Sequence, residues 1–334
     1  MSTIRDVARV AGVSPATVSR VVNGLTGFSE QTRQRVEEAA SRLGYEPDTL
    51  ARGLKTRQSP VLGVLAPVVS DALASQIMGG IEAAARARGY SVMLGRTGPH
   101  AVHAPGYLRN FRAFRVAGVI LISTVVTAEI RRALGDRIPF TAVAIRDGSR
   151  FPSLAIDDDL AAYDGTRFLQ RLGHDTIGLI TGDTESVLVN TPRMCGYQRA
   201  MAEAGLAPIV AYGDSLYDSA PPAVRTLMTE HPDITAIFAL SDEMAAGAVN
   251  ELQRLGYRVP AQVSVLGFDN TPTAQHVHPA LTTVTQPLYH MGELAVEQLL
   301  SSIRPQPHIL PHTITHRGSI ADRRPQAVPA PPSP

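Results

Sequence analysis

His308, His312 and His316 recur four residues apart, a spacing that invites a metal-binding reading. Pro311 and the Thr313-Ile314-Thr315 run instead suggest one extended strand, on which successive histidines share a face but lie about 13 Å apart. They therefore read as surface histidines, and His276 and His278, before a proline, as loop residues. The single cysteine, Cys195, has no base beside it in sequence and is expected to pack as a small hydrophobe. It also excludes an internal disulfide framework and a cysteine-rich zinc site. No G-x-S-x-G elbow, P-loop or G-x-G-x-x-G fingerprint occurs. The chain is not expected to be an enzyme or to hold a metal or cofactor.

The residues suited to recognition lie near the N-terminus. Ala16, Arg20 and Asn23 share one side of a short helical segment whose other side carries Val18, Val21 and Val22. Small side chains let a helix backbone approach a DNA major groove while a single arginine fork reads a guanine or a phosphate. Three helices are expected to hold this face. Thr3 and Asp6 have the spacing of a capping box, and Ile4, Val7, Ala8 and Ala11 form an apolar stripe. Gly12 fits a left-handed C-cap, Ser14 an N-cap and Pro15 a first helical position. A third helix is expected from the cap Ser29 to Gly44, burying Val36, Ala39, Ala40 and Leu43. Two short helices around a glycine turn, closed by a third, make a helix-turn-helix unit.

Charge agrees with this reading. Residues 1–60 hold nine basic and six acidic side chains, a balance of +3; the other 22 basic and 24 acidic side chains leave −2. A basic head suits a polyanionic partner. The chain has 334 residues, 44% of them hydrophobic and 18% charged, so two or three domains are expected. No apolar run approaches a membrane span and no signal peptide is visible, so the cytoplasm is the expected compartment. Beyond Arg57-Gln58-Ser59-Pro60, short apolar runs at 60–66, SVMLG, 118–122, 140–145, 176–181, 208–212, 236–240 and 263–268 alternate with helical segments such as 72–88. That alternation marks βαβ units in two doubly wound lobes, with ligands beyond the carboxyl ends of the strands.

The stretches TIRDVARVAGVSPATVSRVVNG and FSEQTRQRVEEAASRLGYEPDTLARGLKT resemble the head of the LacI/GalR family of bacterial repressors. GGIEAAARARGY, IDDDLAAYDGTRFLQRLGHDTIGLITG, AIFALSDEMAAGAVNELQRLGYRVPAQVSVLGFDN and LTTVTQP resemble the family's regulatory core. The resemblance implies an all-α helix-turn-helix domain at 1–47, a hinge helix and linker at 48–59, and a periplasmic-binding-protein-like core at 60–322 built of two doubly wound parallel-sheet lobes. Residues 323–334, rich in proline and alanine, are expected to be disordered. Lobe crossings are expected near 154–159, 268–274 and 284–287.

The resemblance also implies roles. Pro15 and Ala16 would read base edges, Arg20 a base or a phosphate, and Thr17, Ser19 and Asn23 the phosphate backbone. Thr3 and Ser14 complete the expected contacts of the head. Leu54 would wedge into the central minor-groove step, with Ala51 facing the same groove. Asp48 replaces the hinge's usual asparagine, and Gly53 lies inside the hinge at a cost of about 1 kcal/mol relative to alanine. The hinge is thus expected to order only when two subunits meet on DNA. Arg193, Asp269, Ser241, Asp242 and Asp147 are the implied effector contacts, with a helix N-cap as the other reading of Asp242. The implied partners are a pseudo-palindromic operator in double-stranded DNA, a second copy in a homodimer, and a small-molecule effector, a sugar by analogy. Val69-Ser70-Asp71-Ala72-Leu73 and Ser215 stand where the family often has aromatics, leaving the effector's identity open.

Overall fold

The computed structural model describes residues 2–22, 26–45, 59–135, 138–146, 151–182, 187–301, 303 and 305–324. It divides into two compact units, Met1–Pro60 and Val61–Pro334. The expected contacts Asn23, Ala51, Leu54 and Asp147, the hinge positions Asp48 and Gly53, and tail residues 325–334 lie outside the described residues.

The first unit contains α1 (Ile4–Ala11), α2 (Pro15–Val22) and α3 (Glu30–Leu43). Thr3 and Asp6 form a reciprocal capping box: the Thr3 hydroxyl accepts from the Asp6 amide, and Asp6 Oδ2 accepts from the Thr3 amide at 3.0 Å. The Thr3 hydroxyl bond lowers the carboxyl pKa of Asp6. Gly12 ends α1 at φ 64°, in the left-handed region that favours glycine. Ser14 Oγ then accepts from the Thr17 amide at 3.1 Å and starts α2 after a turn of three residues. Val7, Ala8, Ala11, Val18, Val21, Val36 and Ala39 close a small core.

The second unit contains two six-stranded sheets. The first lobe follows β1 (Val61–Ala66), α4 (Ala72–Ala87), β2 (Ser91–Arg96), α5 (Ala104–Ala113), β3 (Gly118–Ile122), α6 (Ala128–Leu134), β4 (Phe140–Val143) and β5 (Ser153–Ala155). The chain then enters the second lobe through α7 (Asp158–Arg171), β6 (Ile177–Thr181), α8 (Val187–Glu203), β7 (Ile209–Tyr212), α9 (Ala220–Glu230), β8 (Ala236–Ala239), α10 (Asp242–Arg254), β9 (Ser264–Asp269), α11 (Thr273–His276) and β10 (Thr282–Thr285). It returns for α12 (Leu288–Leu300), which packs on α4, and for β11 (His308–Ile309), then crosses again to β12 (Thr313–Thr315). Strand orders are β11-β5-β4-β3-β1-β2 and β12-β10-β9-β8-β6-β7, parallel except for β12 against β10. These are the two doubly wound lobes read from the alternating apolar runs.

One expected crossing is corrected. The segment 268–274 stays in the second lobe, because β9, α11 and β10 all belong to it. The third crossing instead lies between Ile309 and Thr313, since β11 pairs with β5 while β12 pairs with β10. The same topology corrects the histidine strand. His308 and His316 belong to different lobes, with His312 between them, its side chain 11% exposed and its Nε2 3.0 Å from Asp164 Oδ2. Among the described residues no cluster of His, Cys, Asp and Glu could hold a metal, and no helix is long and apolar enough to cross a membrane. Cys195 is exposed on α8 rather than packed, because the inward positions of that turn go to Arg193, Gly196 and Tyr197. Arg323 is held as well: its amide donates to the Leu172 carbonyl at 2.8 Å.

Candidate functional site

On the first unit, Thr3, Ser14, Pro15, Ala16 and Arg20 are exposed, and Thr17 and Ser19 are partly buried. Val18 and Val21 point into the core and Val22 packs against it, so the exposed part of α2 is Pro15, Ala16 and Arg20, two small side chains and one arginine. The Arg20 guanidinium lies over Gly27, at φ 104°, where an added Cβ would stand 2.9 Å from Nη2.

On the second unit, the polar residues gather where the strands of the second lobe end. Arg193, on α8, is 6% exposed. Its Nε donates to Asp158 Oδ1 at 2.8 Å, its Nη1 donates to the Leu240 carbonyl at 2.9 Å, and its guanidinium stacks on Phe268 at 3.8 Å from the ring centroid. Asp269 Oδ1 stands 3.8 Å from Nη1 and accepts from Gln286 Nε2 at 2.6 Å. Asp158 is the nearer partner of the cation, so burial dominates at Asp269 and pushes its carboxyl up to about 8. Burial also raises Asp158, against the pull of Arg193.

The local sequence explains this placement. Asp157, Asp158 and Asp159 follow the first lobe crossing and divide the work at the start of α7. Asp157 caps the helix through the Leu160 amide, Asp158 takes Arg193, and Asp159 takes Arg199 on the outer face. Helices α7 and α8 touch backbone to backbone at Gly196, where a Cβ would lie 2.0 Å from the Asp159 carbonyl oxygen. That close approach, one turn beyond Arg193, brings its guanidinium within reach of Asp158. At the strand end, Asp269 and Asn270 hold φ of 108° and 59°, consecutive left-handed conformations for non-glycine residues. Such backbone persists only where its surroundings over-determine it. Here Arg317 holds it, donating to Asn270 Oδ1 at 2.6 Å and to the Leu281 carbonyl at 2.7 Å.

Ser241 and Asp242 are placed differently from Arg193 and Asp269. Ser241, not Asp242, is the N-cap of α10: its Oγ accepts from the Met244 amide at 3.1 Å and donates to the Ser215 carbonyl at 2.9 Å. Asp242 is the first helical residue. Its Oδ1 accepts from Thr283 Oγ1 at 2.6 Å, and its Oδ2 accepts from the Thr271 amide at 2.7 Å and hydroxyl at 3.1 Å. Burial pushes this carboxyl up to about 6, with those hydrogen bonds opposing it. The carboxylate lies so close over β9 that a Cβ at Gly267 would stand 2.4 Å from Oδ1. Asp242 thus ties α10, β10 and the loop after β9 together.

Sequence reading missed Asp158, Gln286 and Thr181. Asp158 carried a usable signal, since a helix start needs one capping aspartate and this one has three in a row. Thr181 Oγ1 is buried with no hydrogen-bond partner. Its facing follows from the register: a Cβ at Gly165 of α7 would stand 2.9 Å from the Phe238 ring, and Leu179 pairs with Phe238. Two residues on, Thr181 faces the same α7–α8 layer, beside the strand end whose Leu240 carbonyl takes Arg193. From the first lobe, Asp71 caps α4 through the Ala74 amide at 2.6 Å. Burial raises its carboxyl, and the charge of Glu243 on the second lobe raises it further.

A helix-turn-helix head joined to a two-lobed α/β core with a polar cluster at its strand ends defines a ligand-responsive DNA-binding regulator. Residues 3–48 match the model of bacterial regulatory proteins of the lacI family, and residues 166–320 match that of the periplasmic binding protein-like domain. Catabolite control protein A of Priestia megaterium is 37% identical over 302 residues, covering 89% of this chain and 91% of its own. The chain belongs to the LacI family of transcriptional regulators. The Lac repressor dimer bound to operator and the anti-inducer ONPF superposes with a TM-score of 0.86 at 28% identity, covering 96% of this chain and 99% of its own. The transcriptional regulator CelR in complex with cellobiose gives a TM-score of 0.72, also at 28% identity, covering 96% and 100%.

Proposed function

We propose that the chain is a homodimeric, cytoplasmic repressor whose affinity for a pseudo-palindromic operator is set by a sugar or sugar derivative bound between the lobes. It acts by binding, not by turnover. The observation that carries this reading is the buried cluster of Arg193, Asp158, Asp269 and Gln286 at the strand ends, where doubly wound sheets take ligands. Its polar groups suit a polyhydroxylated ligand, and the resemblance to the cellobiose complex of CelR supports that class. Arg193 and Asp269 are assigned direct contact, with Ser241 and Asp242 fixing the loops around them. Asp147 keeps its place in the proposal from the family resemblance alone. At the head, Pro15, Ala16 and Arg20 read bases, while Thr3, Ser14, Thr17, Ser19 and Asn23 hold phosphates. Leu54 and Ala51 enter the minor groove from the hinge at 48–59, which links the head at 1–47 to the core at 60–322.

In this reading the dimer sets two α2 helices in successive major grooves, half-sites 10–10.5 bp apart. The effector changes operator affinity only through its different affinities for the two arrangements of the core. Selection from a random duplex library with the full-length protein tests it, followed by titration of the selected duplex with a sugar panel. A symmetric site whose affinity moves with one sugar is expected. An unsymmetric site, or recovery at background across the whole panel, would overturn the reading.

A further inference from the structure

The buried Arg193 guanidinium already has a counterion and two of its nitrogens engaged. Asp158 takes Nε, the Leu240 carbonyl takes Nη1, Phe268 covers one face, and Asp269 stands beside Nη1. An arriving phosphate or carboxylate would have to share this cation with a buried aspartate that already neutralises it, bringing a second negative charge into a low-dielectric site. The neighbouring described cations are engaged too. Arg146 stands 3.7 Å from Asp157, and Arg317 spends both terminal nitrogens on Asn270 and Leu281. Among the described residues, Asp71 of the first lobe also feels the negative charge of Glu243 of the second. Thr181 supplies the independent sign of a ligand, a hydroxyl on a residue 2% exposed, without a partner, on the face that carries Arg193.

We infer that the cleft takes a hydrogen-bond-donating ligand without negative charge, and rejects phosphorylated and carboxylated forms of the same skeleton. This rests on the effector reading above and narrows its chemical class to neutral polyols and their amino derivatives. Hydroxyl groups can share the carboxyl oxygens of Asp158 and Asp269 without breaking the Arg193–Asp158 ion pair, whereas an anion competes with Asp158 for one guanidinium. Asp158 is therefore a specificity-determining residue, acting through Arg193 as a built-in anion.

Two measurements test this without DNA. Isothermal titration with inorganic phosphate at constant ionic strength is expected to show no saturable site in the wild-type full chain. Asp158→Asn, which frees Arg193, is expected to gain a saturable phosphate site at least about tenfold tighter than the weakest binding the titration can detect, and Asp158→Asn/Arg193→Met to lose it. A saturable wild-type phosphate site abolished by Arg193→Met would overturn the inference, as would a folded Asp158→Asn that gains nothing. If Asp158→Asn fails to fold, the wild-type titration still decides. In thermal-shift panels of matched free hexoses, amino sugars, 6-phosphates and uronates, stabilisation confined to the first two is expected. An Arg193-dependent shift by a 6-phosphate or uronate overturns the proposal. A sugar phosphate that moved operator affinity would overturn this class assignment and leave the regulator reading intact; failure to select an operator would do the reverse.

Discussion

Replacing Arg193 with methionine removes a charge-assisted bond to Asp158, a bond to the Leu240 carbonyl and the stacking on Phe268. It leaves the buried Asp158 without its cation. Breaking a buried pair from one side costs about 3–5 kcal/mol. Asp158→Asn is expected to be milder, about 1–3 kcal/mol, because Arg193 keeps Leu240, Phe268 and the longer contact with Asp269. The double variant keeps the loss of Leu240 and Phe268 but no longer strands the Asp158 charge. It should therefore be less unstable than the sum of the singles by about 2 kcal/mol. The assay is urea unfolding of the full-length protein followed by far-ultraviolet circular dichroism, with ligand absent. Effects additive within about 0.5 kcal/mol would refute the reasoning, because the Arg193–Asp158 pair would then not be the interaction that neutralises this layer.

Arg20→Ala should weaken operator binding by about 1–3 kcal/mol, roughly 5- to 150-fold, in a fluorescence anisotropy titration, while sugar-induced thermal stabilisation stays unchanged. Loss of both would place Arg20 in the folding of the head rather than in recognition. Asp269 carries a carboxyl pushed up to about 8 by burial, against an unfolded value near 3.9. Between about pH 4 and 8 the folded chain holds a proton that the unfolded chain has released, so this group's contribution weakens as pH rises, by at most about 1.4 kcal/mol per pH unit. Asp269→Asn should flatten that slope; an unchanged slope in pH-dependent urea melts would refute the assignment. Gly196→Ala forces a Cβ to within 2.0 Å of the Asp159 carbonyl unless α8 moves off α7. It should destabilise by about 1–3 kcal/mol and abolish the sugar-induced shift, whereas Ala202, exposed further along α8, should tolerate serine within about 0.5 kcal/mol.

The parts legible in the sequence were those set by local rules. Capping at Thr3 and Ser14, the left-handed Gly12 and the valine stripe of α2 depend on residues a few positions apart, and the alternating apolar runs announced the two lobes. What local rules could not supply was the lobe to which the chain's last strands belong. His308–Ile309 and Thr313–Thr315 are too short to carry a pattern of their own, and their assignment rests on partners in β5 and β10 far away in sequence. Cys195 illustrates the same limit on α8. Arg193, Gly196 and Tyr197 take the inward positions because Asp158, the Asp159 carbonyl and the strand carbonyls of Ile177 and Ile209 await them there. A polar and a small residue therefore hold the buried face, and the apolar-looking cysteine goes to solvent.

The family resemblance located Arg193 and Asp269 but not how the site is balanced, and the balance decides its chemistry. An arginine named alone reads as an invitation to an anion. Paired at 2.8 Å with Asp158, stacked on Phe268 and flanked by Asp269, the same arginine is part of a fixed, internally neutralised pair with carboxyl oxygens at its edge. The partner lies thirty-five residues away on another helix, and nothing in the spacing of Asp158 and Arg193 announces their meeting. It depends on α7 and α8 touching at Gly196, a contact that a single methyl group would prevent. If the proposed effector binds here, its recognition depends as much on this backbone approach as on the side chains.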